Sequence, residues 1–351
     1  MKKRSLVTTI ASTALALGLL AALIISGHVD LASLLRKLTE VRLLPFLGLV
    51  LATSLHVLLA GEKWRLVEER LTGGAQLSRR LCFAFTALGT AAGQFLPMQV
   101  ATALTRSMGS RFLTGAGAVR SALATLFEQA FDVLAIGFCG LASIYCLSAG
   151  DLARWPAGAA LAAMLGWLLA APAVKVAAAG ASRLATAKLG GHGGIGRLAG
   201  ALARSGLFEP GLVRRLFALS IVRFIVLCLM AAATTQAAGL DMPTLRLAAA
   251  LPLVVLATAL ALTPAGIGVN EWSFAAALTA FGADFEVATQ WALMNRVLVA
   301  AASLLIGGAG GVLAFASRAG TAPADAPAGG QEAGALAGAM TRSVPQDNPA
   351  I

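Results

Sequence analysis

Residues 262–271 read Leu262-Thr263-Pro264-Ala265-Gly266-Ile267-Gly268-Val269-Asn270-Glu271, inside a long apolar region. Pro264 removes a backbone donor, and Gly266 and Gly268 tolerate dihedrals that other residues avoid. In a bilayer, such a break survives only where protein or a water-filled cavity satisfies the freed backbone groups. The stretch therefore predicts a broken helix that faces the protein interior, with Asn270 and Glu271 carried at the break. A companion lies earlier, at Gln94-Phe95-Leu96-Pro97-Met98-Gln99, with Arg106 a short distance on. Paired interruptions in the two halves of a membrane protein point to a binding site built by internal repeats.

Composition agrees with a bilayer protein. Hydrophobic residues make up 58% of the 351, charged residues 12%, and mean hydropathy is +0.82. These values predict an all-α polytopic membrane protein with roughly 6 to 10 spans. The net charge of +11 would suggest nucleic acid in a soluble protein. Here Lys and Arg lie between apolar runs, so topology and anionic headgroups explain them, and no nucleic-acid partner is expected. Cys82, Cys139, Cys146 and Cys228 fall within apolar runs without CxxC spacing and read as small buried hydrophobes.

Taken outward from the breaks, the chain offers about six full spans: 6–26, 43–61, 121–147, 153–176, 216–238 and 288–315. The apolar run after Met1-Lys2-Lys3-Arg4 exceeds a signal-peptide core and reads as a retained helix. Between the first two spans, Leu31, Leu34, Leu35, Leu38 and Val41 recur at helical spacing, as in an interfacial helix. Basic loops at Glu62–Arg80 and at 179–215 read as cytoplasmic, which puts both termini on the cytoplasmic side of a bacterial inner membrane. Residues 81–119 and 247–282 then become two Pro-broken hairpins that enter from opposite faces, as an inverted repeat would produce. Pro97 precedes Glu128 by 31 residues and Pro264 precedes Arg296 by 32. Residues 1–318 form the membrane domain in this reading, and 319–351, rich in Ala, Gly and Pro, a disordered tail.

Charges inside spans need a partner or a function. Arg106 follows the first break; Glu128 and Asp132, four apart, share a helix face; Glu271 follows the second break; Asn295-Arg296 lie in the last span. One reading has Arg106 pair with Glu128 or Asp132, and Glu271 with Arg296, only to hold the broken helices. The other gives the set a headgroup or proton role, with half-helix N-termini and Arg106 holding an anion and Glu271 carrying a proton. Arg223 and Lys175 read as snorkelling side chains. The sequence has no HExxH, GxSxG or P-loop, and His28, His56 and His192 are scattered, so no enzyme activity, metal or cofactor is expected.

At these residues the chain resembles the lysylphosphatidylglycerol synthase transmembrane-region family of flippase-like proteins. The matching pieces are Pro97 with Arg106, Phe127-Glu128-Gln129-Ala130-Phe131-Asp132, Thr263 to Glu271, and Asn295-Arg296, over about residues 6–316. The resemblance implies movement of a phospholipid, lipid-linked intermediate or hopanoid between leaflets. It implies substrate-binding roles for Gln94, Pro97, Arg106, Glu128, Asp132, Pro264, Gly266, Gly268, Asn270, Glu271, Asn295 and Arg296, and no lysyl transfer, which belongs to a separate soluble domain. The chain has Ala101-Thr102-Ala103 where the family tends to Gly-Gly-acid, and Gln129 and Asn270 in place of common Arg residues. These departures point to a less anionic or more apolar lipid. An alternative partner is a lipid-modifying enzyme docked on 179–215, the chain then serving as its membrane accessory.

Overall fold

The computed structural model describes residues 2–72, 77–114, 118–189, 206–259 and 263–319. Among them the secondary structure is entirely helical: α1 Lys2–Ser26, α2 Leu31–Thr39, α3 Leu43–Leu71, α4 Arg79–Ala92, α5 Met98–Thr114, α6 Ala118–Ala149, α7 Trp155–Leu189, α8 Pro210–Ala237, α9 Thr244–Ala259, α10 Val269–Ala280 and α11 Phe285–Ala319. Five of these, α3, α6, α7, α8 and α11, are long and apolar enough to cross a membrane. A sixth crossing arises if Ser12–Ser26 and Leu31–Thr39, bent by 98°, count as one. That bend separates the first span from the expected interfacial helix, whose start is capped by the Asp30 carboxylate accepting from Ala32 and Ser33 N–H. The chain divides into two units, Met1–Ala314 and Phe315–Ile351. The first carries every element below except the end of α11, and the expected tail lies outside the described residues beyond Ala319.

The expected loop at Glu62–Arg80 is corrected: α3 continues to Leu71. Charge pairs at helical spacing hold the added turns. Arg65 bonds Glu62 at 2.7 Å and Glu69 at 2.6 Å, three and four residues away. The continuation turns Lys63 inward, where it is fully buried. Likewise α7 runs well past the expected span end at 176, and the centre of the basic loop, 190–205, lies outside the described residues.

Both interrupted regions form hairpins. Gly93 lies against Met98, Gly89 against Thr102 and Thr105, and Gly109 against Phe85, so α5 folds back antiparallel on α4. At about 1.5 Å per residue, their 14 and 17 residues reach about 21 and 25 Å, short of a roughly 30 Å hydrocarbon core. Helices α9 and α10, of 16 and 12 residues, pack together in the same way around the second break.

One long helix, a short hairpin and a second long helix thus occur twice, as α3 to α6 and as α8 to α11. The Arg42 N–H at the start of α3 donates to the Ala237 carbonyl at the end of α8 at 3.0 Å, so the two series run antiparallel, as the expected inverted repeat requires. Helices α3 and α8 pack along one another and join the halves. Glycines make a further joint: Gly307 and Gly310 of α11 rest on Ala84, Ala87 and Ala91 of α4. Small residues let helix backbones approach where no side chain intervenes.

Candidate functional site

The first half builds its polar centre on α6, where Glu128 and Asp132 project from one face. Arg106 of α5, 1% exposed, donates through Nη1 to Glu128 Oε1 and through Nη2 to the Ala60 carbonyl at 3.2 Å. Its guanidinium also lies 5.6 Å from the Trp64 ring centre. Lys63 Nζ stands 3.1 Å from Glu128 Oε2 and 2.5 Å from Asp132 Oδ1, bridging the two acids. Arg223 of α8 pairs with Asp132 Oδ2 through Nη1, and its Nη2 lies 2.8 Å from His56 Nε2. Arginine only donates, so His56 accepts at Nε2 and carries its proton on Nδ1.

These contacts form one chain: Arg106, Glu128, Lys63, Asp132, Arg223, His56. The expected pairing of Arg106 with an α6 acid holds. Arg223 is corrected, because it turns inward to Asp132 rather than snorkelling toward a span end. His56 is corrected with it: a histidine read as scattered joins the cluster. A helical signal existed for two of the missed residues, since His56, Ala60 and Lys63 recur at i, i+4 and i+7 on one face of α3.

The second half is built at the break. Ala265, Gly266 and Gly268 have φ of 54°, 68° and 83°. For Ala265 the left-handed region is costly, whereas glycine enters it freely. Arg296 of α11 donates through Nη1 to the Ala265 carbonyl at 3.0 Å, satisfying a group that the break frees. Glu271 is 1% exposed; its Oε2 accepts the Gly268 N–H at 2.6 Å, and its Oε1 lies 3.7 Å from Arg296 Nε. The half-helix N-terminus after Pro264 is therefore capped by the chain's own carboxylate. The anion expected there is displaced by Glu271, which acts as a cap.

The two halves face one cavity of about 600 Å³. Gln94 and Pro97 line it from the first break, Arg106 from α5, and Glu128 and Asp132 from α6. Gly266 and Asn270 line it from the second break, with Asn295 and Arg296 from α11. Of the site residues read from sequence, Gly268 and Glu271 stand outside the wall, joined to each other by the Gly268 N–H to Glu271 Oε2 bond. His56 and Arg223 line the wall without having been expected there. Among the described residues, no group of three His, Cys, Asp or Glu could hold a metal ion. The four cysteines are free, with Cys82, Cys139 and Cys146 buried and Cys228 partly so.

The model for the lysylphosphatidylglycerol synthase TM region matches residues 9–312, which include both hairpins and every residue of the cavity wall named above. No curated protein and no solved structure matches the chain. The chain belongs to the family of the lysylphosphatidylglycerol synthase TM region.

Proposed function

We propose that the chain moves a lipid between the leaflets of the bacterial inner membrane, without altering it covalently and with both termini in the cytoplasm. The observation that carries this reading is a largely apolar cavity whose wall holds a cluster of buried charges. On α6, Leu126, Ala130 and Val133 recur at i, i+4 and i+7; all three line the cavity and are exposed. Leu126 is 57% exposed and Val133 47%. Further along α6, Gly140 rests on Leu256 and Pro252 of α9, so the two helices pack closely there. A headgroup can occupy the charged interior while its acyl chains pass this stripe into the bilayer. A cavity of this volume falls in the range of small-ligand sites, about 300 to 1,000 Å³.

The test is transbilayer exchange of a headgroup-labelled phospholipid in vesicles containing the purified chain, read as the fraction a membrane-impermeant quencher reaches. Wild type should raise exchange above protein-free vesicles. Ala130→Trp, which narrows the cavity at this stripe and leaves every charge in place, should return exchange toward the protein-free rate. Equal exchange with and without protein, or an unimpaired Ala130→Trp, would sink the proposal.

A further inference from the structure

We propose that the cavity takes an uncharged, hydroxyl-rich group, a sugar or other polyol, between carboxamides contributed by both halves. The inference rests on the lipid-transport reading and names the headgroup class for that site.

The first observation is which polar groups of the wall remain uncommitted. The cations are taken: Arg106 pairs with Glu128, Lys63 with Glu128 and Asp132, Arg223 with Asp132, and Arg296 with Glu271. Arg106 is locked at 1% exposure between Glu128, Ala60 and the Trp64 ring. An anion would compete with a carboxylate for each of them, at membrane depth where an unpaired charge is costly. The carboxamides are different. Gln94 comes from the first break, Gln99 from α5, Gln129 from α6, Asn270 from the second break and Asn295 from α11, and all five line the cavity. Gln94 donates through Nε2 to the Thr90 carbonyl at 3.3 Å, which leaves its Oε1. Among the described residues, the side chains of Gln99, Gln129, Asn270 and Asn295 have no hydrogen-bond partner.

The second observation is a mixture of donors and acceptors. The buried wall atoms without a partner include the N–H groups Arg106 Nε, Arg223 Nε and His56 Nδ1, the acceptor Glu128 Oε2 and the Thr86 hydroxyl. Each carboxamide adds an acceptor oxygen and two donor hydrogens. A phosphodiester only accepts and an ammonium only donates, so neither matches such a wall. A hydroxyl does both, and several on one ring or short chain answer the mixed set without bringing a charge into the bilayer. The amides also occupy matching places in the two halves. Gln94 and Asn270 stand beside the two breaks, and on the long helix after each break Gln129 adjoins Glu128 and Asn295 adjoins Arg296. A group held between them touches both halves of the inverted repeat. Gln129 and Asn270 stand where the family commonly carries Arg, so the neutral wall sets this chain apart.

The experiment measures lipid retained by the full chain in micelles of a zwitterionic detergent without a sugar headgroup. Monoglucosyl diacylglycerol, phosphatidylglycerol and diacylglycerol of identical acyl chains compete, and mass spectrometry quantifies each. Wild type should retain the glucosyl lipid over either of the others by roughly tenfold, the scale of one or two net neutral hydrogen bonds. Gln129→Leu combined with Asn295→Leu, which keeps side-chain size and every ion pair, should lose that preference while still retaining all three lipids. The two single substitutions should each lose part of it, so the result does not hang on the folding of the double variant. Equal retention of the three by wild type, or a preference for phosphatidylglycerol, overturns the hydroxyl assignment and leaves the transport reading standing. Retention of none overturns both. An undiminished preference in the double variant overturns the role of the amides. Free methyl glucoside that displaces the glucosyl lipid at equal concentration overturns the lipid as the source of the hydroxyls.

Discussion

Glu271 separates a structural cap from a transported or protonated group, and two substitutions decide between them. Its Oε2 accepts the Gly268 N–H at 2.6 Å in a site 1% exposed, while its Oε1 lies 3.7 Å from Arg296 Nε. Glu271→Ala removes an N-terminal cap, worth typically about 1 kcal/mol. It also leaves a buried N–H without an acceptor, at about 1 to 3 kcal/mol. The two quantities overlap, so the expected loss is about 2 to 3 kcal/mol. Glu271→Gln keeps an acceptor oxygen at the same reach and loses only the charge. A charge-assisted bond is roughly twice as strong as a neutral one, which leaves an expected loss of about 1 kcal/mol. The Arg296 pair adds little to either value, because Arg296 is 24% exposed and the contact is long. Reversible unfolding of the purified chain by an ionic detergent in mixed micelles measures both variants. Glu271→Gln should retain most of the stability and the transport of wild type, and Glu271→Ala should lose both. A Gln variant as unstable as Ala, or an Ala variant as stable as wild type, refutes the cap. A stable Gln variant without transport would assign the carboxylate a titrating role instead.

Two further outcomes use the same unfolding assay. At Gly268, φ is 83° and an added Cβ would stand 2.6 Å from Leu19 Cβ and 2.9 Å from the Ala16 carbonyl of α1, so Gly268→Ala should destabilise by about 2 to 4 kcal/mol. Gly308→Ala, in a helix with open space around the new methyl, should be neutral or gain up to about 1 kcal/mol; equal losses at the two positions would count against the close approach of α1 to the break. Arg106→Ala strips a fully buried pair and should cost about 3 to 5 kcal/mol, and Arg223→Ala distinctly less because Arg223 is 21% exposed. The reverse order would contradict the assignment of Arg106 as the locked member.

The sequence carried the architecture because its strongest signals are local. Pro97 and Pro264 each interrupt an apolar run too short on either side to cross twice, and the hairpins stand where those runs do. Glu128 and Asp132 were legible as a site because four-residue spacing puts two acids on one helix face. Their partner Arg106 was legible because a buried charge needs an opposite one nearby. Lys63 was hidden by its neighbours. Glu62, Arg65, Glu69 and Arg70 surround it, and a charged run after an apolar one reads as a loop unless the pairs at i, i+3 and i, i+4 are seen to extend the helix. Arg223 was hidden by distance: it pairs with a residue 91 positions earlier. The hydropathy of α8 gives no reason to turn it inward.

The two halves repeat each other with the charges exchanged. In the first, the hairpin carries the cation Arg106 and the following long helix the acid Glu128. In the second, the hairpin carries the acid Glu271 and the following long helix the cation Arg296. Left at that, the repeat is neutral and the pairs need no ligand. The leading helix of each half adds a cation to α6, where Lys63 of α3 bridges Glu128 and Asp132 and Arg223 of α8 pairs with Asp132. The polar cluster therefore centres on α6, the helix whose Leu126, Ala130 and Val133 also line the cavity.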